Sequence, residues 1–140
     1  MTGDAATVPE VLGPFSWTMT QAQIDAYAAA AGANDPIHVD PVAAAATPLG
    51  GTIAQGMLVL AVMAEFIGAS LRNRSAWCER GSLDVRFRAP ARPGDRLVVC
   101  AKRTGECVDD CATYELWCEN ADAVRIVAGS ARVPLAAFSR

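Results

Sequence analysis

Asp35-Pro36-Ile37-His38-Val39-Asp40 places the chain's only histidine between two carboxylates, in a segment stiffened by Pro36 and Pro41. Eighteen residues after His38 stands Gly56, within Gly51-Thr52-Ile53-Ala54-Gln55-Gly56-Met57, which leads into a long apolar run. An imidazole changes charge near neutral pH, and a helix start offers unpaired N–H groups that attract negative charge. Together they suit acid/base chemistry on a carbonyl compound, with His38 moving protons and an N–H steadying an oxyanion. The same residues also admit a purely structural role. A lone histidine beside a helix serves as a hydrogen-bonded group, and Asp40 reads as a helix N-cap. A glycine inside a helix costs about 1 kcal/mol relative to alanine and can simply mark a close packing contact. Residue types alone leave both roles open.

The elements that must hold these residues are readable from pattern. Phe15–Thr18 predicts a short strand, preceded by a loose arm over residues 1–12. Thr20-Gln21-Ala22-Gln23 fits a capping box, and Ile24, Tyr27, Ala28 and Ala31 fall on one helical face behind it. Gly32 supplies the left-handed stop. Pro36 biases Asp35 away from helical angles, which predicts a loop over Ala33–His38. Asp40-Pro41 restarts a short helix, and Pro48-Leu49-Gly50-Gly51 breaks it. A helix over Ile53–Leu71, opened by Thr52, is apolar on nearly every side, and such a helix has to be wrapped by other structure.

Strands follow. Ser82–Ala89 alternates, with Leu83, Val85, Phe87 and Ala89 on one face. Pro90–Asp95 is a turn cluster, and Arg96–Thr104, Ala112–Glu119 and Val124–Val133 read as three more strands. Trp117 falls beside Glu115 and Glu119 in the alternation, which suits a surface or an interface. A long apolar helix followed by antiparallel strands predicts an α+β fold with a curved sheet rolled around the helix.

The chain has 140 residues, 52% of them hydrophobic and 19% charged, which suits one folded domain over residues 1–140 and excludes wholesale disorder. A net charge of −3 argues against a generic nucleic-acid binder. No run reads as a membrane span, and the first residues lack the pattern of a secretory signal. Cys78, Cys100, Cys107, Cys111 and Cys118 form no Cys-x-x-Cys pair. Their odd number predicts reduced thiols in the cytoplasm, mostly buried as small hydrophobes, with no metal site.

Pro36-Ile37-His38-Val39-Asp40-Pro41 and Gly50-Gly51-Thr52-Ile53-Ala54-Gln55-Gly56-Met57 together resemble the signature of the MaoC-like, hot-dog-fold (R)-specific enoyl-CoA hydratases and dehydratases. The His38-to-Gly56 spacing is that of the family, and Val85-Arg86-Phe87-Arg88-Ala89-Pro90 with Arg92-Pro93-Gly94-Asp95 is similar to its first long strand and turn. The likeness spans roughly residues 15–135. It implies a single hot-dog domain and a lyase that adds water to an enoyl thioester, or removes it from a 3-hydroxyacyl thioester. His38 would activate the water and the Gly56 N–H would hold the thioester oxygen. Asn34, Gln55, Met57 and Leu60 would bind substrate. Met57, Leu60, Met63, Ala64 and Phe66 suit the lining of an acyl tunnel, and core packing accounts for most of them equally well.

Two positions depart from the family pattern. The family's catalytic Asp, five residues before the histidine, is Ala33 here, and Gln55 replaces a common histidine. The nearest carboxylate, Asp35, is therefore expected to stand in as the second catalytic group. Alternatives are another thioester reaction, such as hydrolysis, or a catalytically degenerate subunit of a competent partner. The resemblance further implies a homodimer and a substrate carried on coenzyme A or an acyl carrier protein through phosphopantetheine, with no other cofactor. Arg72, Arg74, Arg80, Arg86, Arg88, Arg92, Lys102 and Arg103 are candidates for the carrier's phosphates.

Overall fold

A computed structural model describes residues 7–140. Five antiparallel strands, β1 (Val11–Thr18), β2 (Ser82–Phe87), β3 (Arg96–Arg103), β4 (Cys111–Glu119) and β5 (Arg125–Pro134), form one sheet in the order β1-β3-β4-β5-β2. Helices α1 (Gln21–Ala31), α2 (Pro36–Val39), α3 (Pro41–Ala45), α4 (Gly56–Ala69) and α5 (Arg74–Arg80) all lie in the chain between β1 and β2. The expected α+β architecture is the one observed.

Residues 1–6 of the expected arm lie outside the described residues. Val11 and Leu12, assigned to the same arm, instead open β1 and pair with Lys102 and Ala101; Leu12 is buried. The strand extends past its apolar pattern because a register shift between Leu12 and Phe15 absorbs Gly13-Pro14 and lets pairing resume.

The start and stop of α1 follow the predicted chemistry. Thr20 accepts from the Gln23 N–H, Gln23 returns a bond to the Thr20 N–H, and Gly32 ends the helix at φ 69°. The predicted loop over Ala33–His38 is partly helical, because Asp35 caps a turn begun by Pro36: its carboxylate accepts the Ile37 N–H. Asp40 does the same for α3, accepting from Val42 and Ala43. The central helix is shorter than its apolar run, beginning at Gly56 and not at Ile53. Residues 53 and 54 are drawn out as extended chain by bonds from the Ile53 N–H to the Ile37 carbonyl (3.1 Å) and from the Ala54 N–H to the Ala91 carbonyl (2.7 Å). A further helix, α5, follows beyond the apolar run, outside the predicted elements; Asn73 caps it and Trp77 packs it down.

The core lies between α4 and one face of the sheet. Val59, Met63 and Ile67 bury against a cluster holding Leu97, Val99, Leu116, Cys118, Val127 and Val133, and Phe66 stacks on Phe15 with ring centroids 5.2 Å apart. Wrapping of α4 is incomplete: Met57 is 59% exposed, and Ala61 and Glu65 are exposed one and two turns on. All five cysteines are free, yet only Cys111 and Cys118 are buried, which corrects the expectation that most would be. The turn at 107–110 and the helix α5 carry Cys107 and Cys78 to the surface.

Candidate active site

His38 and Gly56 are brought together. Both line one cavity of about 390 Å³, walled by Ile53, Val59, Phe87, Pro90, Ala91 and Ile126 among others. Each reaches it by a different route. Capping by Asp35 turns the chain through α2, so that His38 sits one turn in. The extended residues 53–54 then carry the chain past the imidazole to the start of α4. The His38 Nδ1 lies 2.8 Å from the Ile53 carbonyl. A carbonyl only accepts, so Nδ1 carries the proton and Nε2 of the neutral ring presents its lone pair. Gln21 locks the far side of this turn: its Nε2 donates to the His38 carbonyl (2.8 Å), and its Oε1 accepts from the Thr52 hydroxyl (2.7 Å).

At the head of α4, the Leu58 and Val59 N–H groups turn back to the Gln55 carbonyl. Among the described residues, no protein acceptor takes the Gly56 or Met57 N–H. These are the free donors expected of a helix start, and Gly56 opens onto the cavity. Glycine lets the Phe87 ring lie close there. A Cβ at position 56 would stand 3.1 Å from the Phe87 ring.

The other expected site residues lie elsewhere. Asp35 is spent as the cap of α2, its Oδ1 3.1 Å from the Ile37 N–H, and it forms no part of the cavity wall. Asn34 is exposed, and neither Met57 nor Leu60 lines the cavity. Gln55 is 4% exposed and acts beneath the site, its amide donating to the Ile24 carbonyl (3.1 Å) and to the Ala33 carbonyl (3.3 Å). It thereby ties the end of α1 and the position 33 backbone to the head of α4. The expected tunnel through Met63, Ala64 and Phe66 is not open: none of them reaches the cavity, and Met63 is wholly buried.

Residue pattern did not single out Ile53, Phe87, Ala91 or Ile126 as site residues. The alternation of β2 does place Phe87 on the inner face, opposite Val127, which was the available signal. Of the candidate phosphate ligands, Arg74 pairs with Glu65 and Arg103 with Glu10. Arg86 and Arg88 gather with Arg125 in a concave patch that also holds Asp84 and Glu115. Trp117 is half-buried, with the Arg125 guanidinium 4.7 Å above its ring.

A sheet packed over one apolar helix, with His38 and the head of that helix lining one cavity, is a hot-dog arrangement suited to acid/base chemistry on a carbonyl. Comparison with known proteins gives the same class. The MaoC-like domain matches residues 7–121. The chain is 35% identical over 104 residues to 3-hydroxyacyl-thioester dehydratase Z of Mycobacterium tuberculosis, covering 72% of this chain and 69% of that protein. It is 39% identical over 98 residues to nodulation protein N of Rhizobium meliloti, covering 66% and 61%. In fold it is similar to the (R)-hydratase from A. caviae involved in PHA biosynthesis, with a TM-score of 0.77, 22% identity, and 94% and 98% of the two chains covered. The chain belongs to the MaoC-like hydratase and dehydratase family.

Proposed function

We propose that this chain hydrates an enoyl thioester, or dehydrates the corresponding 3-hydroxyacyl thioester, with His38 as the sole proton-transfer group. The observation that carries this reading is the pairing, in one apolar cavity, of the His38 lone pair with the unpartnered Gly56 N–H. In hydration, Nε2 of His38 takes a proton from water as the water oxygen attacks Cβ. The electron pair moves through Cα onto the thioester oxygen, where the Gly56 N–H receives the developing charge. The protonated imidazole then delivers its proton to Cα. Water is consumed whole, so the reaction needs no cofactor.

The composition of the wall supports a single-group assignment. Among the described residues His38 is the only titratable side chain lining the cavity, and Asp35 and Asp40 are each committed to a helix cap. A donor aimed at charge that appears only in the transition state acts mainly on kcat, and the apolar surroundings strengthen it.

The substrate carrier in this reading is phosphopantetheine, on coenzyme A or an acyl carrier protein. The working unit is a homodimer. Supporting it, β2 ends the sheet with an unpaired edge beside the cavity, and Phe87 and Met57 leave apolar surface exposed at the same place. No helix among the described residues is long and apolar enough to cross a membrane; the five free thiols support a cytoplasmic setting.

The test is hydration of trans-enoyl thioesters, followed by loss of the conjugated enoyl absorbance, for wild type and His38→Ala. Turnover by wild type and loss of it in the variant are expected. Release of free thiol without hydration would replace this reading with a thioesterase, and turnover only after adding a second hot-dog chain would replace it with a subunit role.

A further inference from the structure

The cavity that holds His38 is closed one helical turn beyond Gly56. Val59, three residues on and about 4.5 Å further along the axis, is 2% exposed and forms part of the wall. Met63, one turn deeper on the same face, is fully buried and does not touch the cavity. On this face of α4, the space beyond Val59 is therefore filled by side chains. On β5, Ile126 is 1% exposed and lines the same cavity as Val59. Its backbone is pinned, because the Arg88 and Ala89 N–H groups both donate to its carbonyl, at 2.8 and 3.4 Å. The open side lies at Phe87 and Pro90, which are exposed.

A volume of about 390 Å³ sits near the small end of ligand cavities, which run from about 300 to 1,000 Å³. It has to take the thioester, the attacking water and the acyl tail together. We infer that the acyl group this enzyme accepts is short, with Val59 and Ile126 as the residues that set its length. The inference rests on the thioester reading above, since it takes Gly56 as the place where the carbonyl sits. With the carbonyl held there, the tail has only the first turn of α4 to run along before it meets Val59 and Ile126. A longer tail must displace packed core, whereas a four-carbon tail ends within the wall.

The experiment uses pantetheine thioesters, the arm that coenzyme A and acyl carrier proteins share, so that the choice of carrier does not enter. Hydration is measured for the crotonyl, trans-hexenoyl, trans-octenoyl and trans-decenoyl thioesters. Binding of the saturated butyryl and octanoyl thioesters is measured in parallel by calorimetry, which needs no turnover. One methylene in an apolar pocket is worth about tenfold or more in discrimination, so kcat/KM is expected to fall at least about tenfold from crotonyl to octenoyl. Ile126→Ala and Val59→Ala should raise the octenoyl-to-crotonyl ratio; Ile126→Val, a milder change, should raise it less and keeps the test sound if the alanine variants fold poorly. Octenoyl or decenoyl hydrated as well as crotonyl by wild type overturns the length limit and leaves the hydratase reading intact. So does a uniform loss across all lengths in the folded variants. Absence of hydration at every length, with butyryl bound more tightly than octanoyl, overturns the hydratase reading and supports the limit. Octanoyl bound more tightly than butyryl overturns the limit.

Discussion

At the scale of single residues, catalysis and stability can be read apart. In the proposed scheme His38 touches the reacting atoms, so His38→Ala should lower kcat by about 10²–10⁴-fold, while loss of its bond to the Ile53 carbonyl should cost only about 1 kcal/mol in thermal unfolding. Asp35 touches only backbone. Asp35→Asn preserves a good N-cap and is expected to change neither hydration rate nor Tm appreciably. Asp35→Ala should cost about 1 kcal/mol in denaturant unfolding with kcat kept. A fall in kcat of a hundredfold or more for Asp35→Asn would make Asp35 a second catalytic group and end the single-imidazole scheme. Gly56→Ala is the sharper probe of the oxyanion side. Alanine is the better helix former, yet its Cβ would press on the Phe87 ring from 3.1 Å. Phe87 is half-exposed and can yield, so stability should hold while kcat falls as the ring shifts within the site. Unchanged kinetics would show that the head of α4 does not meet substrate.

At the scale of elements, the cavity depends on two junctions that are far apart in the chain. The first is Gln55, whose amide joins α1, position 33 and α4. Gln55→Ala strips donors from two carbonyls in the interior and should cost about 1–3 kcal/mol, read as a lowered urea midpoint. The second is the close pairing of β2 with β5, where Val85 lies opposite Gly129. A Cβ at Gly129 would stand 2.0 Å from the Asp84 carbonyl oxygen and 2.7 Å from the Val85 Cα. These neighbours are all backbone of β2, which leaves no flexible end to move. Gly129→Val is expected to cost about 3 kcal/mol or more and to detach the strand that carries Phe87, removing one wall of the site. Full activity in a stable Gly129→Val protein would mean that β2 does not form that wall.

At the scale of the whole molecule, burial leaves a signature in pH. Tyr114 and Cys118 lie inside the sheet-helix core, and burial pushes each up to about 12 from ordinary values of 10.0 and 9.0. The unfolded chain loses these protons from about pH 9 upward, whereas the folded chain holds them until about pH 12. Across that window the unfolded state binds fewer protons, so stability falls as pH rises; below it the contribution is complete. Urea midpoints are expected to decline between about pH 9 and 12. Tyr114→Phe should make that decline shallower, at the cost of the phenol's 2.7 Å bond to the Pro9 carbonyl. A midpoint that rises over the same range would contradict the burial.

Strand alternation, the Thr20–Gln23 capping box and the punctuation at Gly32, Pro41 and Gly50-Gly51 were legible in the linear order of residues, because each rests on interactions within a few positions. Residue types made the pairing of His38 with Gly56 one of two readings, and resemblance to a family chose it, since nothing local joins residues eighteen apart. The rest came from packing over distance. The Ile53 and Ala54 backbones bond to Ile37 and Ala91 and so delay the start of α4 to Gly56. Gln55 turns inward because the Ile24 and Ala33 carbonyls need a donor. Met63 and Ile67 fill what alternation and apolarity alone would equally allow to be a tunnel, because hydrophobicity specifies that a side chain leaves water but not which void it fills.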